Sequence, residues 1–384
     1  MRTRVSEKVE NCIDSLTLSL SEKAKAFREA GEAVVSFGTG EPDFTTPAYI
    51  CDGAKAAIDA GHTKYDAVTG VAALRSVIAR KLKEDNGLSY GMDEIIVNSG
   101  AKSSLSVALQ TILNPGDEVI IPKPYWVSYT EMVKLAGGVP VVVDTDPENA
   151  FKMTAEQMKA AITDKTKAMM LNTPVNPTGV LYSREELQAL AAVAVEADIL
   201  VISDEIYEEF VYDGNKTVSI ASLGEAIKNN TILVNGFSKT YAMTGWRLGY
   251  AAAPADIIAG MKRIQGHTIS HPSTITQYAG ITALEEKGEV VDEIIRIFDE
   301  RRKTMMARLD KIPQLSYIYP QSTFYIFVDI SRVIEDNRYG IGSGYEFSQR
   351  LLNEQKVVTI PGEAFGVTEH IRLSFATSME EIEE

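Results

Sequence analysis

The chain has 384 residues, of which 45% are hydrophobic and 24% charged, and its formal net charge is −15. This size allows two domains or one large domain with an appendage, and the acidic balance argues against nucleic acid or an anionic membrane as the main partner. With only two cysteines, no signal-peptide pattern and no apolar run of roughly 18 residues, we expect a cytoplasmic protein without a disulfide framework or metal site.

The first predicted element is an amphipathic helix over residues 15–30, followed by the turn-rich segment Gly38–Asp43. From about Ala48 helices alternate with short apolar strands. The predicted strands are Glu94–Val97, Glu118–Ile121, Val139–Val143, Ala168–Leu171, Ile199–Ser203, Thr231–Asn235 and Leu248–Ala252. The predicted helices between them are Ser103–Leu113, Trp126–Leu135, Ala155–Ile162 and Glu185–Glu196. This alternation predicts a largely parallel α/β sheet.

Beyond about Ala283 the pattern changes to a long charged helix, Val290–Leu309, and two strand-like runs, Phe324–Val328 and Ile371–Phe375. We therefore expect a large domain over 46–283, a smaller α+β domain over 284–384, and an N-terminal segment, 1–45, that packs with the smaller one. The acidic segment Met379–Glu384 is typical of the start of a helix, and we expect that this terminal helix is truncated.

Lys239 lies just beyond the strand Thr231–Asn235, among small and hydroxyl residues. A lysine held in such surroundings can lose its proton and attack a carbonyl, so a Schiff base with pyridoxal phosphate (PLP) is the leading interpretation. Asp204 closes another apolar strand, where a buried carboxylate needs a cation such as a protonated pyridine nitrogen. Taken by itself, Asp204 is more often a helix cap or the partner of an arginine.

Several further residues could bind parts of such a cofactor. Gly100, Ala101 and Lys102 join a strand to a helix, where free amides can receive a phosphate, although an ordinary helix start looks the same. Ser238 and Arg247 could add a hydroxyl and a charge to that phosphate. Each of these signals is weak alone.

The cofactor ring and the substrate also have candidate ligands. Trp126 could stack on a flat ring, although an isolated tryptophan is more often a core residue. Two prolines and a glycine fix the loop Asn172–Gly179, from which Asn176 could reach the ring's phenolic oxygen together with Tyr207. Arg372 lies in an apolar strand, where it suits either a substrate carboxylate or an internal salt bridge.

These candidates follow the ends of different strands. Asn98–Lys102, Asn172–Gly179, Asp204 and Lys239 all come at or just after a predicted strand end. Because ligands of parallel α/β sheets gather at the carboxyl ends of the strands, the sequence predicts one shared site there.

In this order and spacing, the residues resemble the fold-type I PLP enzymes of the class I aminotransferase family, in its aspartate aminotransferase-like branch. The similarity runs from Gly40–Phe44 to Arg372–Ser378. Its most specific parts are Asn176–Gly179, Ser203–Tyr207, Ser238–Lys239 and Thr244–Arg247. The resemblance implies a large domain, with a mostly parallel central sheet between helices, and a smaller α+β domain.

The resemblance also implies a role for each matching residue. Lys239 would be the catalytic lysine, which carries PLP and moves a proton between the substrate Cα and the cofactor. The implied cofactor ligands are Gly100, Ala101, Lys102, Trp126, Asn176, Asp204, Tyr207, Ser238, Lys239, Arg247 and Tyr65. The implied substrate ligands are Gly40, Trp126, Asn176, Arg372 and Lys102.

Two of these positions bear on partners and substrates. Tyr65 matches a tyrosine that reaches the phosphate of the neighbouring subunit, which implies a homodimer with shared active sites. Lys102 matches a lysine that faces the distal carboxylate, which favours transfer from L-aspartate to 2-oxoglutarate, giving oxaloacetate and L-glutamate by a ping-pong mechanism. The alternatives are alanine, aromatic or branched-chain substrates, a PLP-dependent lyase, and a non-enzymatic PLP-sensing domain, which the lack of a basic helix disfavours.

Three features depart from the family pattern or stay open. Ile13 stands where relatives that also accept prephenate tend to have a basic residue, so we expect that activity to be absent. Ser322–Thr323 replace the usual Gly-Ala, at a place expected on the wall near the α-carboxylate. His267 and His271 flank a stretch that in relatives approaches the partner's substrate, and their roles stay open.

Overall fold

A computed structural model describes residues 4–10, 12, 13, 16–286 and 288–384, with backbone alone for residues 7 and 16–21. The helices are α1 (Glu7–Glu10), α2 (Leu16–Glu29), α3 (Ala48–Asp59), α4 (Ala72–Asn86), α5 (Ala101–Ile112), α6 (Ser128–Leu135), α7 (Ala155–Ala161), α8 (Arg184–Glu196), α9 (Glu225–Asn229), α10 (Ala255–Thr268), α11 (Thr274–Glu285), α12 (Glu289–Leu309), α13 (Ser331–Asp336), α14 (Gly344–Arg350) and α15 (Met379–Glu383). The strands are β1 (Val35–Ser36), β2 (Ile95–Asn98), β3 (Glu118–Lys123), β4 (Val139–Asp144), β5 (Thr166–Asn172), β6 (Leu200–Asp204), β7 (Thr231–Gly236), β8 (Gly249–Ala252), β9 (Ser316–Tyr317), β10 (Tyr325–Asp329), β11 (Val357–Val358), β12 (Ile360–Pro361) and β13 (His370–Ser374). Residue 15, the first of the helix predicted over 15–30, lies outside the described residues.

Seven strands form the central sheet, in the order β2-β8-β7-β6-β5-β3-β4. Strand β8 runs antiparallel to both of its neighbours, whereas the other paired strands of this sheet are parallel. The inner strands are apolar and buried on both faces, as a sheet covered by helices on both sides requires. The fold-type I prediction of a mostly parallel α/β sheet is confirmed.

Two helices beside the predicted site begin at residues other than those predicted. Helix α5 begins at Ala101, two residues early, because Gly100 has a positive φ (85°) and its carbonyl accepts the amides of Ser103 and Ser104. Helix α6 begins at Ser128, two residues late, and the carbonyl of Trp126 accepts the amide of Tyr129. Trp126 therefore lies in the turn ahead of α6.

Helices cover both faces of the central sheet. Helices α3, α4 and α11 pack on one face around Leu74, Ile78 and Ala279. Helices α5, α6 and α10 pack on the other face around Leu105, Val133 and Met261. The burial of apolar side chains on both faces holds the strands in place, and their carboxyl ends with them.

A second, antiparallel sheet has the order β12-β13-β10-β9 and packs against helix α12 through Phe298 and Phe324. Phe210, in the loop after β6, belongs to the same core. Strand β1 pairs in parallel with β11, which brings the N-terminal segment beside this part of the chain. The domain limits at residues 45 and 283 stay predictions. Among the described residues, no helix is both long and apolar enough to cross a membrane.

Candidate active site

A cavity of about 780 Å³ opens at the carboxyl ends of β5, β6 and β7, between the central sheet and the second sheet. All but two of the predicted site residues line it. They are Gly40, Ala101, Lys102, Trp126, Asn176, Asp204, Tyr207, Ser238, Lys239, Arg247 and Arg372. The topology thus brings together residues that lie more than 300 positions apart in the chain.

Lys239 follows the last strand residue of β7 by three positions, and its Nζ donates a hydrogen bond to the carbonyl of Gly40 at 2.5 Å. Burial lowers the pKa of Lys239 from its ordinary 10.5 to about 8. The negative charges of Glu41 and Asp204 oppose this lowering of the pKa, whereas the positive charges of Arg372 and Arg247 add to it. A fraction of the amine on the order of a tenth is therefore neutral at pH 7 and able to attack a carbonyl.

Asp204 ends strand β6 with its carboxylate buried beneath the cavity. Its Oδ2 accepts a hydrogen bond from the Tyr129 hydroxyl at 2.7 Å, and its Oδ1 accepts one from the amide of Ile206 at 3.3 Å. Burial raises the pKa of Asp204 to about 6, although these hydrogen bonds and Lys239 act in the opposite direction. A buried carboxylate of this kind gains most from a cationic group placed against it.

The turn into helix α5 forms a cradle that has no room for a larger side chain. A Cβ on Gly100 would lie 2.6 Å from Nη2 of Arg247, and a Cβ on Gly249 would lie 2.4 Å from the amide nitrogen of Ala101. Arg247 itself has a left-handed backbone (φ 57°) and donates through Nη1 to the carbonyl of Thr244. The cradle combines a helix N-terminus, a guanidinium and the Ser238 hydroxyl, a donor set that suits a phosphate.

Asn176 is held by hydrogen bonds of both its backbone amide and its side chain. Its amide donates to Oδ1 of Asn172 at 2.8 Å, and Asn172 in turn donates to the carbonyl of Asp204 at 2.9 Å. Its own Oδ1 accepts from Nη1 of Arg372 at 3.0 Å. The loop that the two prolines stiffen therefore links the end of β6 to the arginine of β13.

Arg372 is a buried cation whose hydrogen-bond partners are all neutral. Its side chain is 4% exposed, Nη2 donates to the carbonyl of Gly38 at 3.2 Å, and Nε has no partner among the described residues. The guanidinium lies 4.1 Å from the ring centre of Tyr325 and 5.1 Å from that of Phe365. With no carboxylate paired to it in the described part of the chain, this fork is ready for a bound anion.

Lys102, in the first turn of α5, is a further cation in the cavity. Its Nζ lies 4.7 Å from the ring centre of Trp126. Burial lowers the pKa of Lys102, and the charge of Arg247 lowers it further. Like Arg372, Lys102 has no carboxylate partner within the described residues.

Two predicted site residues lie outside the cavity. Gly100 lies behind Arg247, where it shapes the cradle. Tyr65 is 92% exposed and its ring meets the edge of His271. Its predicted contact involves a second subunit and stays a prediction. His271 accepts a hydrogen bond from the amide of Asp66 through Nε2.

Ser322 and Thr323 are buried but do not line the cavity, so the expectation that they form its wall is wrong. The Ser322 hydroxyl instead donates to the carbonyl of Gly179 at 2.8 Å. Thr323 accepts the amide of Tyr325 through Oγ1. Both side chains therefore support the two cavity-lining segments from behind.

Sequence reasoning missed several polar residues of the cavity wall, among them Tyr129, Tyr325 and Glu41. Tyr129 follows Trp126 by three residues, a helical spacing that could have placed both on one side. Tyr325 is the second residue of the predicted strand Phe324–Val328, but nothing local marks which face of the strand it occupies. Glu41 accepts a hydrogen bond from the Thr244 hydroxyl at 2.6 Å and so joins the Gly40 loop to the cradle.

Comparison with known proteins places this geometry in a family. A sequence profile described as "Aminotransferase class I and II" matches residues 32–384. An aspartate aminotransferase of Bacillus sp. (strain YM-2) is 47% identical over 384 residues, which covers 100% of this chain and 97% of that protein.

Solved structures agree with this assignment. The aspartate aminotransferase of Rhizobium meliloti superposes with a TM-score of 0.95 at 38% identity, covering 99% of this chain and 96% of that one. That of Thermus thermophilus, solved with maleate, gives a TM-score of 0.94 at 39% identity over 100% and 97% of the two chains. The protein therefore belongs to the class I and II aminotransferases, PLP-dependent enzymes that transfer amino groups.

Proposed function

We propose that the protein is an aspartate aminotransferase, which moves the amino group of L-aspartate to 2-oxoglutarate and yields oxaloacetate and L-glutamate in a ping-pong cycle. The main observation is that two cavity cations outside the cradle, Arg372 and Lys102, have no carboxylate partner among the described residues. Arg28, a further cation of the cavity lining, donates instead to the carbonyl of Val34. Two such cations suit substrates with two carboxylates. The relatives named above as aspartate aminotransferases support this choice, one of them with the dicarboxylate maleate.

The residues of the cavity fit PLP at each of its polar groups. The cradle of Ala101, Ser238 and Arg247 would hold the phosphate, and Gly100 leaves room for the Arg247 guanidinium. Asp204 would pair with the pyridine nitrogen, which supplies the cation that this buried carboxylate lacks. Tyr207 and Asn176 would contact the phenolic oxygen, and Trp126 would cover one face of the ring.

When bound, PLP supplies an aldehyde that takes up an amine and a ring that delocalises the electrons released at Cα. The chain's own residues would do the rest. Arg372 would fix the α-carboxylate, with Asn176 and the Gly40 backbone beside it, and Lys102 would hold the distal carboxylate. Lys239 would carry the proton from Cα on its Nζ, for which a lowered pKa is suited.

We also propose that the enzyme works as a homodimer in which Tyr65 of one subunit reaches the phosphate of the other. The support is an almost fully exposed tyrosine side chain whose turn is held by the hydrogen bond to His271. Tyrosine is enriched at protein interfaces, where its ring is buried and its hydroxyl finds a hydrogen-bond partner. Sedimentation, together with the PLP affinity of Tyr65→Phe, tests this assembly.

Steady-state kinetics with a panel of amino acids test the substrate. The wild-type protein should prefer aspartate and glutamate to alanine, phenylalanine and leucine. Lys102→Ala should lower kcat/KM for aspartate by about 10- to 150-fold, which corresponds to a lost hydrogen bond between charged groups, and leave alanine within a few-fold. Lys83→Ala, at an exposed position of α4, is the matched control.

Equal rates with aspartate and alanine would reject the dicarboxylic assignment and favour the monocarboxylic alternatives. Release of ammonia from an amino acid in the absence of a keto acid would favour a lyase instead.

A further inference from the structure

Tyr325 contacts both halves of the cavity at once. It is the first residue of β10, its side chain is 1% exposed, and it lines the cavity. Its hydroxyl lies 3.0 Å from the hydroxyl of Tyr207, on the cofactor side. Its ring face lies 4.1 Å from the guanidinium of Arg372, on the carboxylate side.

The orientation of Tyr325 is fixed from behind. Its amide donates to Oγ1 of Thr323, whose backbone has φ 61°, an unfavourable value for a β-branched residue. The amide of Thr323 donates to the carbonyl of Phe210 at 2.8 Å, and the amide of Phe210 donates to the carbonyl of Tyr207 at 2.9 Å. One chain of hydrogen bonds therefore sets the positions of both tyrosines.

The two hydroxyls form a buried hydrogen-bonded pair on the cavity wall. Burial raises the pKa of Tyr207 well above its usual range, and the Tyr325 hydroxyl raises it further. Burial also raises the pKa of Tyr325, while the charge of Arg372 and the hydrogen bond with Tyr207 oppose that effect. Both hydroxyls stay protonated at working pH, so if one donates to the other, the second proton is free to point into the cavity.

We propose that Tyr325 is a positioning residue with two separable contributions. Its hydroxyl donates to that of Tyr207 and thereby directs the Tyr207 proton toward the phenolic oxygen of bound PLP. Its ring face supports the Arg372 guanidinium in the orientation that receives the α-carboxylate. This inference rests on the proposed function, because it assigns Tyr207 to the cofactor and Arg372 to the substrate.

Two substitutions separate these contributions. Tyr325→Phe keeps the ring and removes the hydroxyl, whereas Tyr325→Leu removes both. Loss of the hydroxyl weakens the donor to the phenolic oxygen, so both variants should raise the pH midpoint of the bound-PLP absorbance by about half a unit to one unit. Loss of the ring face should weaken maleate binding to the PLP-loaded protein by about 3- to 30-fold in Tyr325→Leu alone.

The measurements are an absorbance pH titration, calorimetric titration with maleate, and the PLP affinity of the apoprotein. Tyr339→Phe, at an exposed tyrosine, is the matched control and should match the wild type in all three. In Tyr207→Phe, the further change Tyr325→Phe should leave the absorbance midpoint unmoved. If Tyr325→Leu folds poorly, this double variant still tests the contact between the Tyr325 and Tyr207 hydroxyls.

An unchanged midpoint in Tyr325→Phe would overturn the hydroxyl contribution. Equal maleate affinity in Tyr325→Phe and Tyr325→Leu would overturn the ring contribution. Failure of the proposed function can be told apart from failure of this inference. A wild-type protein that binds PLP and maleate but does not turn over aspartate would reject the proposed activity. The absorbance and maleate-binding measurements would still test the contributions of Tyr325.

Discussion

The lowered pKa of Lys239 predicts how fast the apoprotein captures PLP at each pH. Since only the neutral amine attacks the PLP aldehyde, the capture rate should rise about tenfold per pH unit below pH 7 and level off above a midpoint near 8. An ordinary lysine, with a pKa of 10.5, would keep rising across this whole range. Stopped-flow absorbance of apoprotein mixed with PLP measures the profile directly.

Neighbouring charges should move this midpoint in opposite directions. Arg372→Met removes a positive charge that lowers the pKa of Lys239, so the midpoint should rise. Glu41→Gln removes a negative charge that raises it, so the midpoint should fall. Glu84→Gln, on the exposed side of α4, is the control and should leave the profile in place. A midpoint near 10 in the wild type, or shifts of the opposite sign, would refute the reasoning.

Three further substitutions test other parts of the site. Lys239→Met should abolish turnover and raise the melting temperature of the apoprotein near pH 7. The pKa of Lys239 is lower in the folded than in the unfolded chain, so the charged lysine destabilises the fold below about pH 8, and this penalty fades as the pH rises from 8 toward 10.5. Asp204→Asn should likewise stabilise the apoprotein at pH 7 to 8, because the raised pKa of Asp204 in the folded chain makes its ionised carboxylate unfavourable above about pH 6. The same change should weaken PLP binding and slow transamination. Unchanged PLP affinity would count against the pairing of Asp204 with the pyridine nitrogen. Gly100→Ala should weaken PLP binding at least tenfold by displacing Arg247, whereas Gly116→Ala, which shares a positive φ but has open space around it, should bind PLP normally in the same spectroscopic titration.

The positions of the strand ends were predictable because each strand is a short apolar run followed by turn residues. That pattern is local, and it placed Asn176, Asp204 and Lys239 at one edge of the sheet. The direction of β8 was not predictable, since its residues read the same whether it pairs in parallel or antiparallel. Trp126 was assigned to a helix for a similar reason, because its exclusion from α6 depends on the turn that precedes it.

Contacts between distant segments were the other gap. Tyr129 meets Asp204 across 75 residues, and Tyr325 meets Tyr207 across 118 residues. Neither tyrosine carries a local mark that separates it from a core residue, so only the packing of α6 and β10 against the sheet reveals its contact. For Ser322 and Thr323 the error ran the other way, because residues predicted to line the cavity do not line it. Their departure from the family pattern suggested a place on the cavity wall, whereas the structure places them behind the lining segments.

The absorbance of the purified protein tests the central claim most directly. If Lys239 holds PLP in a site for dicarboxylic amino acids, the visible band of the bound cofactor should shift on addition of L-aspartate and return on addition of 2-oxoglutarate, and Lys239→Ala should lose this cycle. L-Alanine at the same concentration should produce little change. A protein that stays colourless after incubation with PLP, or whose band responds to alanine as readily as to aspartate, would contradict the account.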